Sequence, residues 1–131
     1  MRLVNKIIVH CADTPKGAYF DIEDIRKWHV QENGWIEVGY HYVILLDGSI
    51  QIGRSLDTIG AHCYGHNKLS VGVCYIGGKG GDTRTKAQKE SLKTLLKTLK
   101  NIYPIATIHG HRDFSDKDCP SFDATKEYKN L

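Results

Sequence analysis

The sequence predicts an α/β fold: a single mixed β-sheet flanked by helices. Three observations carry this. Val- and Ile-rich runs of strand length alternate with helical patterns along the 131 residues. Asp47-Gly48 lies between two strand-like runs, a strong hairpin signal. Leu92, Leu95, Leu96, Leu99 and Ile102 recur at helical spacing, a buried stripe for one long covering helix. Strands separated by helices favour parallel pairing, and the hairpin adds an antiparallel pair, so the sheet is mixed.

The elements follow in order. Residues 4–10 read as a buried strand, followed by a loop with Asp13, Pro15 and Gly17. Asp21 can cap a helix over about 22–32, with Ile22, Ile25, Trp28 and His29 on one face and Gly34 as its stop. Residues 40–46 and 50–52 are the hairpin strands, and 71–76 is a further long strand. Residues 77–81 contain four glycines and are expected to be a flexible loop. Thr85 and Gln88 form a capping box for the helix over 86–102, which Pro104 stops. Residues 107–111 are a last strand and 122–130 a short terminal helix.

Composition bounds the function. The length fits one domain spanning 1–131. With 40% hydrophobic and 25% charged residues the chain is an ordinary globular mix, which excludes wholesale disorder. No apolar run approaches the ~20 residues of a membrane span, so no membrane insertion is expected. Met1 to Lys6 lacks the pattern of a signal peptide, so cytoplasmic synthesis is expected. The net charge is only +3, and the excess sits in residues 84–103, where six bases face one acid, Glu90. Five of those bases, Lys86, Lys89, Lys93, Lys97 and Lys100, fall within roughly 80° on a helical wheel. Their plain reading is a solvated helix face; their functional reading is attraction to an anionic envelope or an acidic protein. No aromatic residues interleave them, so no nucleic-acid partner is expected.

Four cysteines (Cys11, Cys63, Cys74, Cys119) and seven histidines point to metal or catalytic chemistry. In a reducing compartment the cysteines are expected as free thiols. The densest cluster is His109-Gly110-His111-Arg112-Asp113, followed by Lys117-Asp118-Cys119-Pro120. A loop folding back from a strand could bring a histidine and Cys119 to one zinc ion, whose ligands are imidazole and thiolate. His10, at a strand's carboxyl end, is the best third candidate. Cys11 follows it in the strand and so points to the opposite face. His109 and His111 share a strand face, and spacing does not choose between them. Asp113 or Asp118 could orient a ligand imidazole, although solvation is the plainer role for both.

Longer motifs extend this reading. Val9-His10-Cys11-Ala12-Asp13-Thr14, Gly34-Trp35 with Val38-Gly39-Tyr40-His41-Tyr42, Asp47-Gly48, Gly53-Arg54, Gly60-Ala61-His62, Asn67 with Ser70-Val71-Gly72-Val73-Cys74, and Gly110-His111-Arg112-Asp113 through Lys117-Asp118-Cys119-Pro120-Ser121-Phe122-Asp123 occur in series. Together they resemble the zinc-dependent N-acetylmuramoyl-L-alanine amidase family, over residues 3 to about 125. The same domain occurs in peptidoglycan recognition proteins, and the likeness is greatest to short single-domain phage lysozymes of amidase type.

The resemblance implies one zinc ion per chain, held by His10, His111 and Cys119. It implies Tyr40 and Lys117 as catalytic residues, and His62 and Asn67 near the substrate cleft. It implies a hydrolase that cuts the amide between the lactyl group of N-acetylmuramic acid and L-alanine in peptidoglycan or muropeptides. Three protein ligands leave a fourth zinc position open for water, the mark of a catalytic site. A monomeric endolysin reaching the wall after release fits the absent signal peptide, as does an amidase recycling wall fragments in the cytosol. A non-catalytic recognition module is the other reading, but inactive relatives typically lose the ligand cysteine, and Cys119 is present. A structural zinc domain expects paired CxxC ligands, and the sequence has none.

Overall fold

The computed structural model describes residues 2–131. Five strands form one sheet in the order β3-β2-β4-β1-β5: β1 Lys6–Cys11, β2 Tyr42–Ile44, β3 Ile50–Ile52, β4 Ser70–Tyr75 and β5 Thr107–Gly110. β1 runs parallel to both β4 and β5, and β2 runs parallel to β4. Among the described residues only β2 and β3 are antiparallel, joined through Asp47-Gly48. Gly48 adopts φ +88°, and a Cβ there would lie 2.9 Å from the Ala87 carbonyl oxygen, so the turn needs glycine.

The covering helix α2 spans Lys86–Ile102, as its sequence pattern predicts. Thr85 accepts the Gln88 N–H and Gln88 reaches back to the Thr85 N–H, completing the capping box. Leu92, Leu95, Leu96 and Leu99 bury against Ile7, Val9, Val71, Val73 and Tyr75 of the sheet. Ile102 stays 40% exposed and so falls outside the buried stripe. On the other face α1, Ile22–Arg26, packs Ile22 and Ile25 against Val43, Leu45 and Ile76.

Several elements depart from expectation. The helix predicted over 22–32 is α-helical only to Arg26; Lys27–Glu32 widen into a π-turn closed by Asn33 N–H to Trp28 O at 3.1 Å. The wider turn lets Trp28 pack on Phe20 while His29 faces Trp35 and Tyr40. The strand predicted over 40–46 is shorter, because Gly39, Tyr40 and His41 bond outward to Ala61, Arg54 and Gly53 instead of continuing a regular ladder. The glycine-rich segment 77–81 is not a free loop: Gly77 O accepts Thr14 N–H, and Gly78 N–H donates to Thr83 Oγ1 at 2.7 Å. The terminal helix α3 is only Ala124–Glu127, capped by Asp123. β5 stops at Gly110, and His111 opens a 3₁₀ turn. His109 and His111 therefore do not share a strand face. Among the described residues no helix is long and apolar enough to cross a membrane.

Candidate metal centre and active site

The carboxyl ends of β1 and β5 open onto one cleft of about 950 Å³. His10 comes from the end of β1, His111 from the turn after β5, and Cys119 from the loop that returns toward the sheet. Gly110 makes this return possible, since a Cβ there would meet Pro120 at 2.8 Å. Tyr75 hydroxyl donates to Pro120 O at 2.7 Å, which ties the loop to β4.

One ligand atom each from His10, His111 and Cys119 lies within 4.8 Å of the other two. His10 Nδ1 is 3.8 Å from Cys119 Sγ. A tetrahedral ion with Zn–N of ~2.05 Å and Zn–S of ~2.3 Å would set that separation at about 3.6 Å. The Cys11 N–H donates to Cys119 Sγ at 3.2 Å, a bond that favours a charged sulfur. Contrary to the expectation that Cys11 faces away from the site, its thiol lies beside Cys119 and on the cleft wall, with Ser121 Oγ and Gly78 also close.

The electrostatics keep the histidines neutral. His10 is 1% exposed; burial, then the neighbouring His62, His111 and Lys117, hold its pKa well below the usual imidazole value. His111 is lowered by burial and by Lys117. Cys119 is raised by its contact with the Cys11 thiol and by burial, against the Cys11 N–H bond. A bound divalent cation reverses that order, because a coordinating thiol is deprotonated outright. Neutral imidazoles need no proton loss to bind a metal.

Tyr40 and Lys117 also line the cleft. The Tyr40 ring lies 5.1 Å from that of His10, and burial, with Cys74 and Cys119 nearby, keeps its hydroxyl protonated. Lys117 is exposed at the mouth, two residues before Cys119. His62 and Asn67 border the cleft, yet their polar atoms are engaged within the fold. His62 Nδ1 lies 2.8 Å from His10 Nε2, and Asn67 Oδ1 accepts the N–H groups of His62 and Cys63. His109 is elsewhere, beside Thr107 and Asp113. Asp113 faces Thr125 and His109, so it orients no ring of the three-residue cluster.

Trp35, His29 and Tyr64, none of them expected at the site, also line the cleft wall. The π-turn that aims His29 leaves no distinct pattern in sequence. The glycine of Val71-Gly72-Val73, inside a buried strand, was a readable signal of close approach at His62.

Two imidazoles and one thiol, at the carboxyl edge of an α/β sheet and beneath a cleft, are a donor set that suits an open catalytic metal site. The sequence profile described as N-acetylmuramoyl-L-alanine amidase matches residues 1–122, and the chain belongs to that family. It is an amidase of the phage-endolysin type. An endolysin of Klebsiella phage KP32 is 43% identical over 124 residues, covering 91% of this chain and 82% of that protein. The solved structure of wild-type Drosophila PGRP-LB superposes with a TM-score of 0.86 at 27% identity, covering 100% of this chain and 82% of that one. The N-acetylmuramoyl-L-alanine amidase LysC from Clostridium intestinale gives 0.85 at 28% identity, covering 96% and 82%.

Proposed function

We propose that the chain hydrolyses the amide between the lactyl group of N-acetylmuramic acid and L-alanine in peptidoglycan, with one zinc ion held by His10, His111 and Cys119. The observation that carries this is the convergence of three ligand atoms within 4.8 Å at the cleft floor. When bound, zinc supplies hydroxide near neutral pH and polarises the scissile carbonyl. The protein does the rest. Tyr40, kept as a phenol, donates its O–H to the oxyanion that develops on the carbonyl. Lys117 brings a positive charge to the same oxygen from the cleft mouth. Trp35 and Tyr64 offer aromatic faces along the wall for substrate. The proposed working unit is a monomer, since the three ligands converge without a second copy. The enzyme is made in the cytoplasm and meets the wall on release.

Mass analysis of purified wall after digestion tests the reading. The new end should be a free L-alanine amine, on intact polymer as well as on fragments. Release of any other end, or tight binding to wall with no release, would replace it with a different cleavage or with a recognition module.

A further inference from the structure

His10 has two ring nitrogens, and the fold treats them differently. Nδ1 faces Cys119 Sγ at 3.8 Å, while Nε2 lies 2.8 Å from His62 Nδ1 in a buried contact. The two rings stand nearly perpendicular, at 87°. The far nitrogen of His62, Nε2, lies 3.2 Å from Ser70 Oγ, and Ser70 opens β4 fully buried. The chain of contacts therefore runs from His10 through His62 to Ser70, without a carboxylate.

The fold makes room for this chain. A Cβ at Gly72 would come within 2.6 Å of the His62 ring, and one at Gly60 within 2.7 Å. Real Cβ atoms do not approach so closely, so both positions must lack a side chain for the ring to sit where it does. Asn67 holds the backbone of the same turn through its side-chain carbonyl.

We propose that His62 is a positioning residue for the metal centre: it accepts the His10 Nε2–H, leaves His10 Nδ1 free for the ion, and is itself anchored by donating to Ser70. The inference rests on the zinc reading above. Its direction follows from proton counting. An ion on Nδ1 requires the His10 proton on Nε2. His62 Nδ1 must then be the acceptor, so the His62 proton sits on Nε2 and points at Ser70 Oγ. Ligand histidines ordinarily give their second N–H to a carboxylate or carbonyl. Here a neutral imidazole takes that place, which orients the ring without adding negative charge to the site.

The test measures zinc affinity by chelator competition and the visible spectrum of the cobalt-substituted protein. His62→Ala should weaken zinc about 10–100-fold, the usual cost of losing such a partner, and should alter the cobalt bands. His62→Asn should recover part of the loss, because its amide oxygen can accept where Nδ1 did. Gly72→Ala should resemble His62→Ala although His62 is still present, and Ser70→Ala should show a smaller loss. Nitrogen NMR of the zinc-loaded wild type should find His10 protonated at Nε2. Wild-type affinity and spectrum in both His62→Ala and Ser70→Ala, or a His10 protonated at Nδ1, would overturn the proposal. If His62→Ala does not fold, Ser70→Ala and the wild-type tautomer decide. One zinc in the wild type with indifferent variants defeats the positioning role alone; no zinc in the wild type defeats the metal reading and this role with it.

Discussion

Arg84 and His10 are both polar side chains buried beside the same sheet, yet their surroundings are built in opposite ways. The Arg84 side chain is 2% exposed and all five guanidinium N–H groups find acceptors: Asp82 twice, Glu127 twice and the Tyr128 hydroxyl. Its cationic carbon sits 3.4 Å above the Phe122 ring. Burial alone would lower its pKa, but the bonds to Glu127 and Asp82 outweigh burial and raise it. The cluster is charged, paired and closed, so it offers nothing to a ligand. The histidine cluster is neutral; His10 Nε2 meets His62 Nδ1 while its other nitrogen faces Cys119. A closed polar cluster clamps the C-terminal segment to the loop at Asp82; an open one leaves its donor atoms facing the cleft.

The largest effect should separate turnover from metal binding at the open cluster. Tyr40→Phe and Lys117→Ala are expected to keep one zinc and the fold, yet to lose ~10²–10³ in rate, or about 3–4 kcal/mol. The loss should fall mainly on kcat, because both donors act on charge that develops in the transition state. Wall-release assays with parallel zinc analysis check this, and wild-type rates in both variants would remove these residues from the mechanism.

At the closed cluster the expected damage is to stability instead. Arg84→Ala leaves Asp82 and Glu127 without their partner and should cost about 3 kcal/mol in denaturant unfolding. Zinc stoichiometry should remain one. Loss of zinc with little loss of stability would show that the two clusters are not separate in role.

Acid sharpens the same contrast. His41 is fully buried, and burial followed by the Arg2 and Arg54 charges lowers its pKa to about 4, against the carbonyl bond from Thr58. The unfolded chain takes up that proton first as pH falls. Stability is therefore complete above pH ~6.5 and is lost between there and about pH 4, by on the order of 3 kcal/mol. Asp82 and Glu127 lie below their ordinary values, so the Arg84 cluster weakens only at more acid pH. Unfolding midpoints across pH, for wild type and His41→Gln, should show the first loss shrinking in the variant. An equal loss in both would contradict the assignment.

Much of this was legible in the sequence, for physical reasons that differ by element. The helix over 86–102 was readable because capping box and leucine stripe are local signals, and the hairpin because Asp47-Gly48 demands a specific turn. The α1 boundary was not, because a π-turn depends on where Trp28 and His29 find aromatic partners. For the site, spacing alone left His109 and His111 equivalent, since it assumed a strand running through His111. The family likeness singled out His111, and the end of β5 at Gly110 shows how the fold separates the two. The engagement of His62 with His10 was hidden because those residues are 52 positions apart and meet only through the parallel pairing of β1 with β4.

The central claim is that an open cluster of two imidazoles and a thiol holds the ion. Metal analysis of purified Cys119→Ala beside the wild type tests it most directly. One zinc per wild-type chain and a large loss in the variant are expected, with the fold preserved by circular dichroism. Full zinc occupancy in Cys119→Ala would contradict it.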